Sequence, residues 1–311
     1  MDIKNVTVAG GGVLGSQIAF QSAYCGFNVT VWLRSEGSVG RAKPKFERLR
    51  TIYLNTLEAM KTNPQAYYRG LAPSPDMSAE EIDQLKARAD AALNNITFTL
   101  SYEDAARDCD LVIEAIAENP EEKIAFYTEL AKHLPEKTII ATNSSTMLPS
   151  AFAQYTGRPK KYLALHFANE IWRNNTAEVM GHPETSKEGF DEVVTFAQAI
   201  SMIPLELHKE QPGYILNSLL VPFLSAAEEL LATGVADCET IDKTWMLATG
   251  APLGPFRILD IVGLTTAYNI GIMDPRSKDP GTVQGKVAAL LKGYIDEGKT
   301  GVNAGEGFYK Y

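Results

Sequence analysis

Four polar residues, Ser145, His166, Glu178 and Asn217, have side chains that together could oxidise a secondary alcohol. A histidine can remove the hydroxyl proton, because its unperturbed pKa lies near neutral pH. A carboxylate beside it, here Glu178, would fix the tautomer of the imidazole and stabilise its protonated form. Ser145 and Asn217 would hold the substrate oxygen while a hydride leaves the carbon. The predicted catalytic set therefore has His166 as base, Glu178 as its partner and two residues that position the substrate.

Each of these residues has an ordinary structural explanation when it is taken alone. A histidine at the end of a strand is more often structural than catalytic, and Ser144 and Ser145 could simply form a turn. Glu178 could cap a helix or form an ion pair, and Asn217 could bond to a neighbouring domain. The other histidines are predicted to lie on the surface or in loops: His133, His182 and His208. Only the combination, following a nucleotide-binding motif, favours catalysis.

That motif lies at residues 10–15, where Gly-x-Gly-x-x-Gly joins a predicted strand, Asn5–Ala9, to an apolar helical pattern. In this context the first glycine permits a tight turn, the second lets a pyrophosphate approach the backbone, and the third lets the helix pack close to the strand. Free N–H groups at the start of the helix would face the phosphates. The alternative is a glycine-rich turn in another α/β protein. The predicted dinucleotide contacts here are Gly10, Gly12, Val13, Leu14 and Gly15.

The cofactor is predicted to be NAD or NADP, with NADP modestly favoured by the residues that follow the second strand. A fold that selects NAD usually has Asp or Glu about twenty residues beyond the glycines, to bind the ribose hydroxyls. This chain has Leu33 there, followed by Arg34 and Ser35. Arg34 can pair with a 2′-phosphate and Ser35 can donate a hydrogen bond to it. The alternative is that Arg34 is solvated and Glu36 reaches the ribose.

The order of elements predicts an α/β fold with a doubly wound, Rossmann-type sheet, followed by an all-α C-terminal domain. The dinucleotide-binding domain is predicted to span residues 1–207 and the helical domain, for substrate closure and dimerisation, residues 208–311. Predicted strands lie at 5–9, 29–33, 96–98, 111–115, 138–141 and 162–165, so that His166 would directly follow a strand. The helix at 215–231 is apolar on more than one face, which predicts a homodimer interface or the central helix of a bundle.

Composition excludes several other classes of function. The net charge of −9 argues against nucleic-acid binding. The chain start does not resemble a signal peptide, and no apolar run is expected to reach the length of a membrane span, so a cytoplasmic protein is predicted. The three cysteines are widely spaced and predicted to be reduced, with no metal site: Cys25, Cys109 and Cys238.

With these residues in view, the chain resembles the 3-hydroxyacyl-CoA dehydrogenase family along essentially its full length, most closely its bacterial diketoreductase and 3-hydroxybutyryl-CoA dehydrogenase-like branch. The matching segments are residues 10–15, 114–119, 143–145, 165–167, 212–217, 254–264 and 305–309. The resemblance implies an oxidoreductase of fatty acid metabolism, commonly dimeric, that interconverts 3-hydroxyacyl and 3-ketoacyl compounds. It implies the catalytic roles given above, and it places three further residues near the cofactor: Glu118, Lys123 and Asn169. Asn143, which follows the predicted strand at 138–141, is also predicted to contact the cofactor.

Departures from the family pattern leave more than one function open. Leu33 replaces the acidic ribose-binding residue, Asn303 stands where a lysine is common, and residues 169–172 read Asn-Glu-Ile-Trp where Asn-Pro-x-Pro is usual. The bulky Trp172 puts recognition of a CoA thioester in question. The first hypothesis is therefore a 3-hydroxyacyl dehydrogenase, and the second a ketoreductase for β-keto or β-diketo acids and esters without CoA. A catalytically inactive dinucleotide-binding protein is the third.

Overall fold

The computed structural model describes residues 3–311, which divide into two compact units, one ending at Ile215 and the other spanning Leu216–Tyr311. The first unit is built on an eight-stranded sheet of order β3-β2-β1-β4-β5-β6-β7-β8. Every neighbouring pair is parallel except β6 and β7, which are antiparallel. The strands are Asn5–Ala9, Asn28–Trp32, Ile96–Thr99, Leu111–Glu114, Ile139–Thr142, Tyr162–Phe167, Thr176–Met180 and Ile203–Leu207, numbered β1 to β8 in chain order.

Helices cover this sheet and begin at side chains that cap their free N–H groups. The Ser78 hydroxyl accepts from the Glu81 N–H, and the Glu81 carboxylate accepts from the Ser78 N–H, a capping box at the start of α3. Ser35, Asn119 and Ser186 cap α2, α5 and α6 in a similar way. The helices of the first unit are Val13–Tyr24, Glu36–Met60, Ala79–Ala91, Tyr102–Ala106, Pro120–Leu130 and Lys187–Ala199, numbered α1 to α6.

The apolar strands are buried because helices pack on both faces of the sheet, as in other parallel sheets. Every residue of β4 and β6 is buried, and α1 is buried along most of its length. The predicted α/β Rossmann-type fold followed by an all-helical domain is confirmed. Two features of the strands differ from the prediction. His166 lies inside β6 instead of following it, and Ile203–Leu207, whose pattern is interrupted by Pro204, forms the edge strand β8.

The second unit consists of helices around its own apolar core. The helices are Tyr214–Ala232, Cys238–Thr249, Pro255–Val262, Leu264–Gly271 and Val283–Asp296, numbered α7 to α11. Helix α7 begins two residues before the division between the units. The core includes Leu224, Phe256, Leu259 and Leu291. Buried Asp260 accepts hydrogen bonds from the N–H groups of Phe308 and Tyr309 and from the Tyr311 hydroxyl, so it attaches the C-terminal segment to α9.

Helix α7 contradicts the expectation that no apolar run reaches the length of a membrane span. At 19 residues it is long and apolar enough to cross a membrane by length and composition alone. Only 17% of its apolar window is buried, and Leu224 and Ala227 are among its residues that pack in the core of the second unit. The same helix carries two adjacent carboxylates, Glu228 and Glu229.

The carboxyl group of Glu228 predicts how stability depends on pH. Burial, and secondarily the charge of Glu229, raises the pKa of Glu228 to about 7. The pKa of Glu228 in the folded protein lies above its value of about 4.3 in the unfolded chain. Its contribution to the free energy of unfolding is therefore fully present below about pH 4.3 and is lost as pH rises through the pKa of the folded protein. We expect Glu228→Gln to raise the free energy of unfolding above pH 7 by on the order of 3 kcal/mol and to leave it nearly unchanged near pH 4.

Urea unfolding of the wild type and Glu228→Gln at about pH 4.5 and about pH 8, close to the two ends of this range, measures the difference in their free energies of unfolding. Glu239→Gln is the control, since this exposed carboxylate lies on the neighbouring α8. A stability gain that is the same at both pH values would contradict the assignment.

Candidate active site

The glycine turn between β1 and α1 has the shape that close packing of backbone requires. Gly10 has φ +117°, and a Cβ on it would lie 2.3 Å from the Ala115 carbonyl oxygen. A Cβ on Gly15 would lie 2.3 Å from the Gly10 carbonyl oxygen. Gly12 is different, since a Cβ there would meet no atom of residues 3–311 within 4 Å. Gly12 is also the N-cap of α1, and with no side chain it leaves the first-turn N–H groups, including those of Val13 and Leu14, for a phosphate.

A cavity of about 580 Å³ opens from this turn along the ends of β1, β2 and β4. Its walls combine apolar and cationic groups, which suits an adenosine with its phosphates. The residues that line it include Gly11, Leu33, Arg34, Ser38, Arg41, Lys45, Tyr102, Ile116, Glu122 and Phe126. Sequence reasoning pointed to Arg34 but missed Tyr102, Glu122 and Phe126, because these three come from helices α4 and α5.

The end of β2 places the residues that were predicted to select the cofactor. Leu33 is buried, and its side chain fills the space in which a Cβ on Gly11 would stand. Arg34 is exposed, and its Nη1 lies 3.3 Å from Oε2 of Glu122. The Ser35 hydroxyl accepts from the Ser38 N–H and so caps α2. Arg41 donates to the Ser38 hydroxyl at 3.0 Å. Two arginines and two serines therefore lie near the place where a ribose would be held.

Lys123 was predicted to contact the cofactor, but the structure places its amine in a buried ion pair. Its Nζ lies 2.6 Å from Oε1 of Glu114, and both side chains are almost fully buried. Glu114 also accepts from the Tyr127 and Thr142 hydroxyls and from the Ile116 N–H. Such a fully hydrogen-bonded pair fixes the backbone that follows β4. Lys123 thus supports the wall of the cavity from behind.

Glu118 connects the ends of β4 and β5. Its Oε1 accepts from the Ser145 N–H at 2.7 Å, and its Oε2 accepts from the Ser144 hydroxyl at 2.8 Å. The prediction had placed Glu118 near the cofactor only. The structure shows that its carboxylate also holds the loop that carries Ser145, whose side chain is half-buried.

His166 and Glu178 form a buried pair across the antiparallel strands β6 and β7. The two residues are direct partners in the register, so their side chains lie on the same face of the sheet. The distance from Nδ1 of His166 to Oε2 of Glu178 is 3.0 Å. The other carboxylate oxygen of Glu178 accepts from the Ile215 N–H at 2.9 Å. A carboxylate on Nδ1 fixes the tautomer that leaves Nε2 of His166 as the proton acceptor.

Tyr214 packs on this pair and was not predicted from the sequence. Its ring stacks on the imidazole of His166, with centroids 4.4 Å apart and planes 10° from parallel. Its hydroxyl donates to the Ser144 carbonyl oxygen at 2.7 Å, and its backbone has φ +54°, unusual for a residue with a side chain. Burial, then the charges of Glu118 and Glu178, raises the pKa of Tyr214, so the phenol stays neutral. The aromatic ring therefore restricts the imidazole to one orientation.

Comparison with known proteins identifies this arrangement. The model of the 3-hydroxyacyl-CoA dehydrogenase NAD-binding domain matches residues 5–211, and that of the C-terminal domain of the same enzymes matches residues 213–311. The chain belongs to the 3-hydroxyacyl-CoA dehydrogenase family. The members it matches are oxidoreductases that act on CH–OH donors.

Three relatives show how far the similarity extends. A probable 3-hydroxyacyl-CoA dehydrogenase of Caenorhabditis elegans is 33% identical, over 99% of this chain and 93% of that protein. A probable 3-hydroxybutyryl-CoA dehydrogenase of Bacillus subtilis is 29% identical, over 100% of this chain and 98% of that protein. The solved structure of a diketoreductase, an enzyme of dicarbonyl compounds, is 50% identical over 100% of both chains, with a TM-score of 0.85.

The remaining predicted residues of this family member occupy three different environments. Asn143 is buried and its Oδ1 accepts from the Phe167 N–H, so it joins the ends of β5 and β6. Asn169 is exposed in the loop after β6, where its carbonyl accepts from the Asn174 amide. Asn217 lies on α7 and belongs to the second unit. The cofactor and catalytic roles of these three residues stay predictions.

The departure of this chain at residues 169–172 has a structural explanation. Trp172 is only 7% exposed and packs against Tyr53, with ring centroids 5.6 Å apart. Its carbonyl accepts from the Gly70 N–H, and a Cβ on Gly70 would collide with the backbone of Trp172. The side chain is thus part of the core, so its bulk alone does not argue against a CoA thioester.

Proposed function

We propose that this chain is an NAD(P)-dependent oxidoreductase that transfers hydride between the 3-hydroxy and 3-keto forms of an acyl compound. The observation that carries the proposal is the buried His166–Glu178 pair at 3.0 Å, on a strand whose carboxyl end borders the same edge of the sheet as the glycine turn. Strands lie about 4.8 Å apart. Because β6 is three strands from β1, the pair stands about 14 Å across the sheet from the turn.

A nicotinamide held beside the glycine turn would supply the acceptor for a hydride from the carbinol carbon, or the donor of a hydride to the ketone. In the oxidative direction, Nε2 of His166 takes the hydroxyl proton, and the carboxylate of Glu178 stabilises the imidazolium that forms. In reduction the imidazolium gives that proton to the carbonyl oxygen. Ser145, held by Glu118, is proposed to donate a hydrogen bond to the substrate oxygen, and Asn217 to position the substrate. The backbone N–H groups of Val13 and Leu14 would hold the pyrophosphate.

The domain assignment of 1–207 for dinucleotide binding and 208–311 for substrate closure and dimerisation is part of the proposal. It is supported by the glycine turn in the first part and by the helical composition of the second. The partner is a small-molecule substrate, and the protein is proposed to be cytoplasmic, with no nucleic-acid or membrane partner.

The acyl compound is proposed to be a CoA thioester, as the names of the family's dehydrogenases indicate. A second candidate, a ketoreductase for β-keto or β-diketo acids and esters, is favoured by the 50% identity to a diketoreductase. Oxidation of NADPH and NADH should be followed side by side with acetoacetyl-CoA and with a free β-diketo ester. We expect turnover with the thioester, and turnover confined to the ester would establish the second candidate instead.

Replacing the proposed base tests the mechanism. We expect His166→Gln to lower kcat at least about a hundredfold, the usual size of a general-base contribution, and to leave nucleotide affinity unchanged. Steady-state kinetics with the better substrate and a fluorescence titration of NADPH give the two values. His208→Gln is a matched control, because His208 is exposed in the segment after β8 and does not line the nucleotide cavity. Unchanged turnover in His166→Gln would remove His166 from the mechanism.

The finer choice of cofactor is proposed to be NADP, with a modest preference over NAD. Support comes from Leu33 at the position of the usual acid and from Arg34, Ser38 and Arg41 on the cavity wall. We expect Arg34→Ala to weaken NADPH much more than NADH, since only NADPH carries a 2′-phosphate to pair with the guanidinium. Dissociation constants for both nucleotides measure this. Arg107→Ala is the control, as Arg107 lies on the surface after α4. Equal losses for the two nucleotides would exclude phosphate recognition by Arg34.

A homodimer is proposed on the basis of apolar side chains that the second unit exposes. Leu219 is 69% exposed and Leu247 is 76% exposed, although both lie on regular helices. Exposed apolar patches of this kind usually mark an interface. Light scattering of the purified protein should give twice the monomer mass, and Leu219→Glu should lower it. A wild-type mass equal to one chain would contradict the dimer.

A further inference from the structure

The position that normally selects NAD in this fold cannot do so in this chain. A ribose-binding acid at the end of the second strand accepts hydrogen bonds from the ribose hydroxyls. Leu33 stands there, is 3% exposed and packs under Gly11. Its side chain has no acceptor. A hydrogen-bond acceptor for the ribose hydroxyls must therefore come from another element of the fold.

One carboxylate, that of Glu122, is among the residues that line the same cavity. Glu122 lies in the first turn of α5 and lines the cavity together with Leu33 and Arg34. Its backbone is fixed, because its N–H donates to the side chain of the capping residue Asn119 at 3.0 Å. Its Oε2 lies 3.3 Å from Nη1 of Arg34. A carboxylate of α5 is thus brought to the end of β2, where the acidic side chain is missing.

The pair that Glu122 and Arg34 form is open to solvent. The two side chains are 46% and 70% exposed. Exposed ion pairs are weak, so a ligand can separate or rearrange this one at little cost. Both charges are therefore available to a nucleotide that enters the cavity.

We propose that Glu122 is the residue that sets the cofactor preference, in opposition to Arg34. This inference rests on the proposed function, namely that a nicotinamide dinucleotide binds at the glycine turn. The Glu122 carboxylate accepts a hydrogen bond from the adenosine ribose of NAD. It repels the 2′-phosphate of NADP and competes with that phosphate for the guanidinium of Arg34. The preference for NADP is therefore modest in the wild type, because an attractive and a repulsive charge lie side by side.

Nucleotide binding in the absence of substrate tests this proposal. Dissociation constants of NADH and NADPH are measured by calorimetry for the wild type, Glu122→Gln and Glu121→Gln. We expect Glu122→Gln to shift the ratio of the two constants towards NADPH by about tenfold, the size of one charge interaction at short range near a protein surface. Glu121→Gln is the matched control. It removes the same charge from the same helical turn, but Glu121 does not line the cavity.

The outcomes separate this inference from the function on which it rests. A ratio that changes in Glu122→Gln by no more than in Glu121→Gln overturns the role of Glu122, while nucleotide binding itself stands. A wild-type protein that binds neither nucleotide overturns the proposed function instead. When Glu122→Gln is added to Arg34→Ala, we expect it to restore only part of the NADPH affinity that Arg34→Ala loses. The substitution then removes the repulsion of the 2′-phosphate, but there is no competition for Arg34 left to relieve. Full recovery there would show that Glu122 acts without Arg34.

Discussion

The His166–Glu178 pair, the proposed catalytic pair, depends on one antiparallel pairing in an otherwise parallel sheet. Between β6 and β7 the chain reverses direction, and the register sets His166 opposite Glu178. Cross-strand partners in an antiparallel pair have side chains on the same face and at short range, so the imidazole and the carboxylate meet without any loop to place them. Burial of both side chains strengthens their interaction and makes separation costly. The Ile215 N–H on one side and the ring of Tyr214 on another then hold the pair in place.

Two other carboxylates, buried Glu114 and exposed Glu118, connect the remaining parts of the site. Glu114 binds Lys123, Thr142 and Tyr127, and so joins β4, β5 and α5 below the cavity. Glu118 holds the Ser144–Ser145 loop, and the Tyr214 hydroxyl binds the carbonyl of Ser144. The loops at the carboxyl ends of β4, β5 and β6 are therefore linked by side-chain hydrogen bonds from Glu118, Asn143 and Tyr214. Such links keep catalytic groups in one geometry, which a proton transfer requires.

The cavity beside the glycine turn differs from the buried His166–Glu178 pair, because the charged groups proposed to select the nucleotide are exposed. Arg34 and Glu122 are free to rearrange, while the glycine turn beside them is packed too closely to accept a side chain at Gly10 or Gly15. In the proposed function, this closely packed turn binds the pyrophosphate, which all nicotinamide dinucleotides share. The exposed charges of Arg34 and Glu122 are proposed to contact the part in which NAD and NADP differ. Selectivity can thus change by single surface substitutions without disturbing the turn or the catalytic pair.

The sequence by itself determined the glycine turn, the α/β order of elements, the helical second half and the identities of Ser145, His166, Glu178 and Asn217 as candidates. These follow from short patterns in which neighbours along the chain decide the local structure. Only the tertiary structure decided that His166 lies within β6, that Lys123 is buried against Glu114, and that Glu118 holds Ser145. It also decided that Tyr214 stacks on His166 and that Glu122 meets Arg34. Those contacts join residues far apart in the chain, and they depend on strand register and helix packing, which no local pattern encodes.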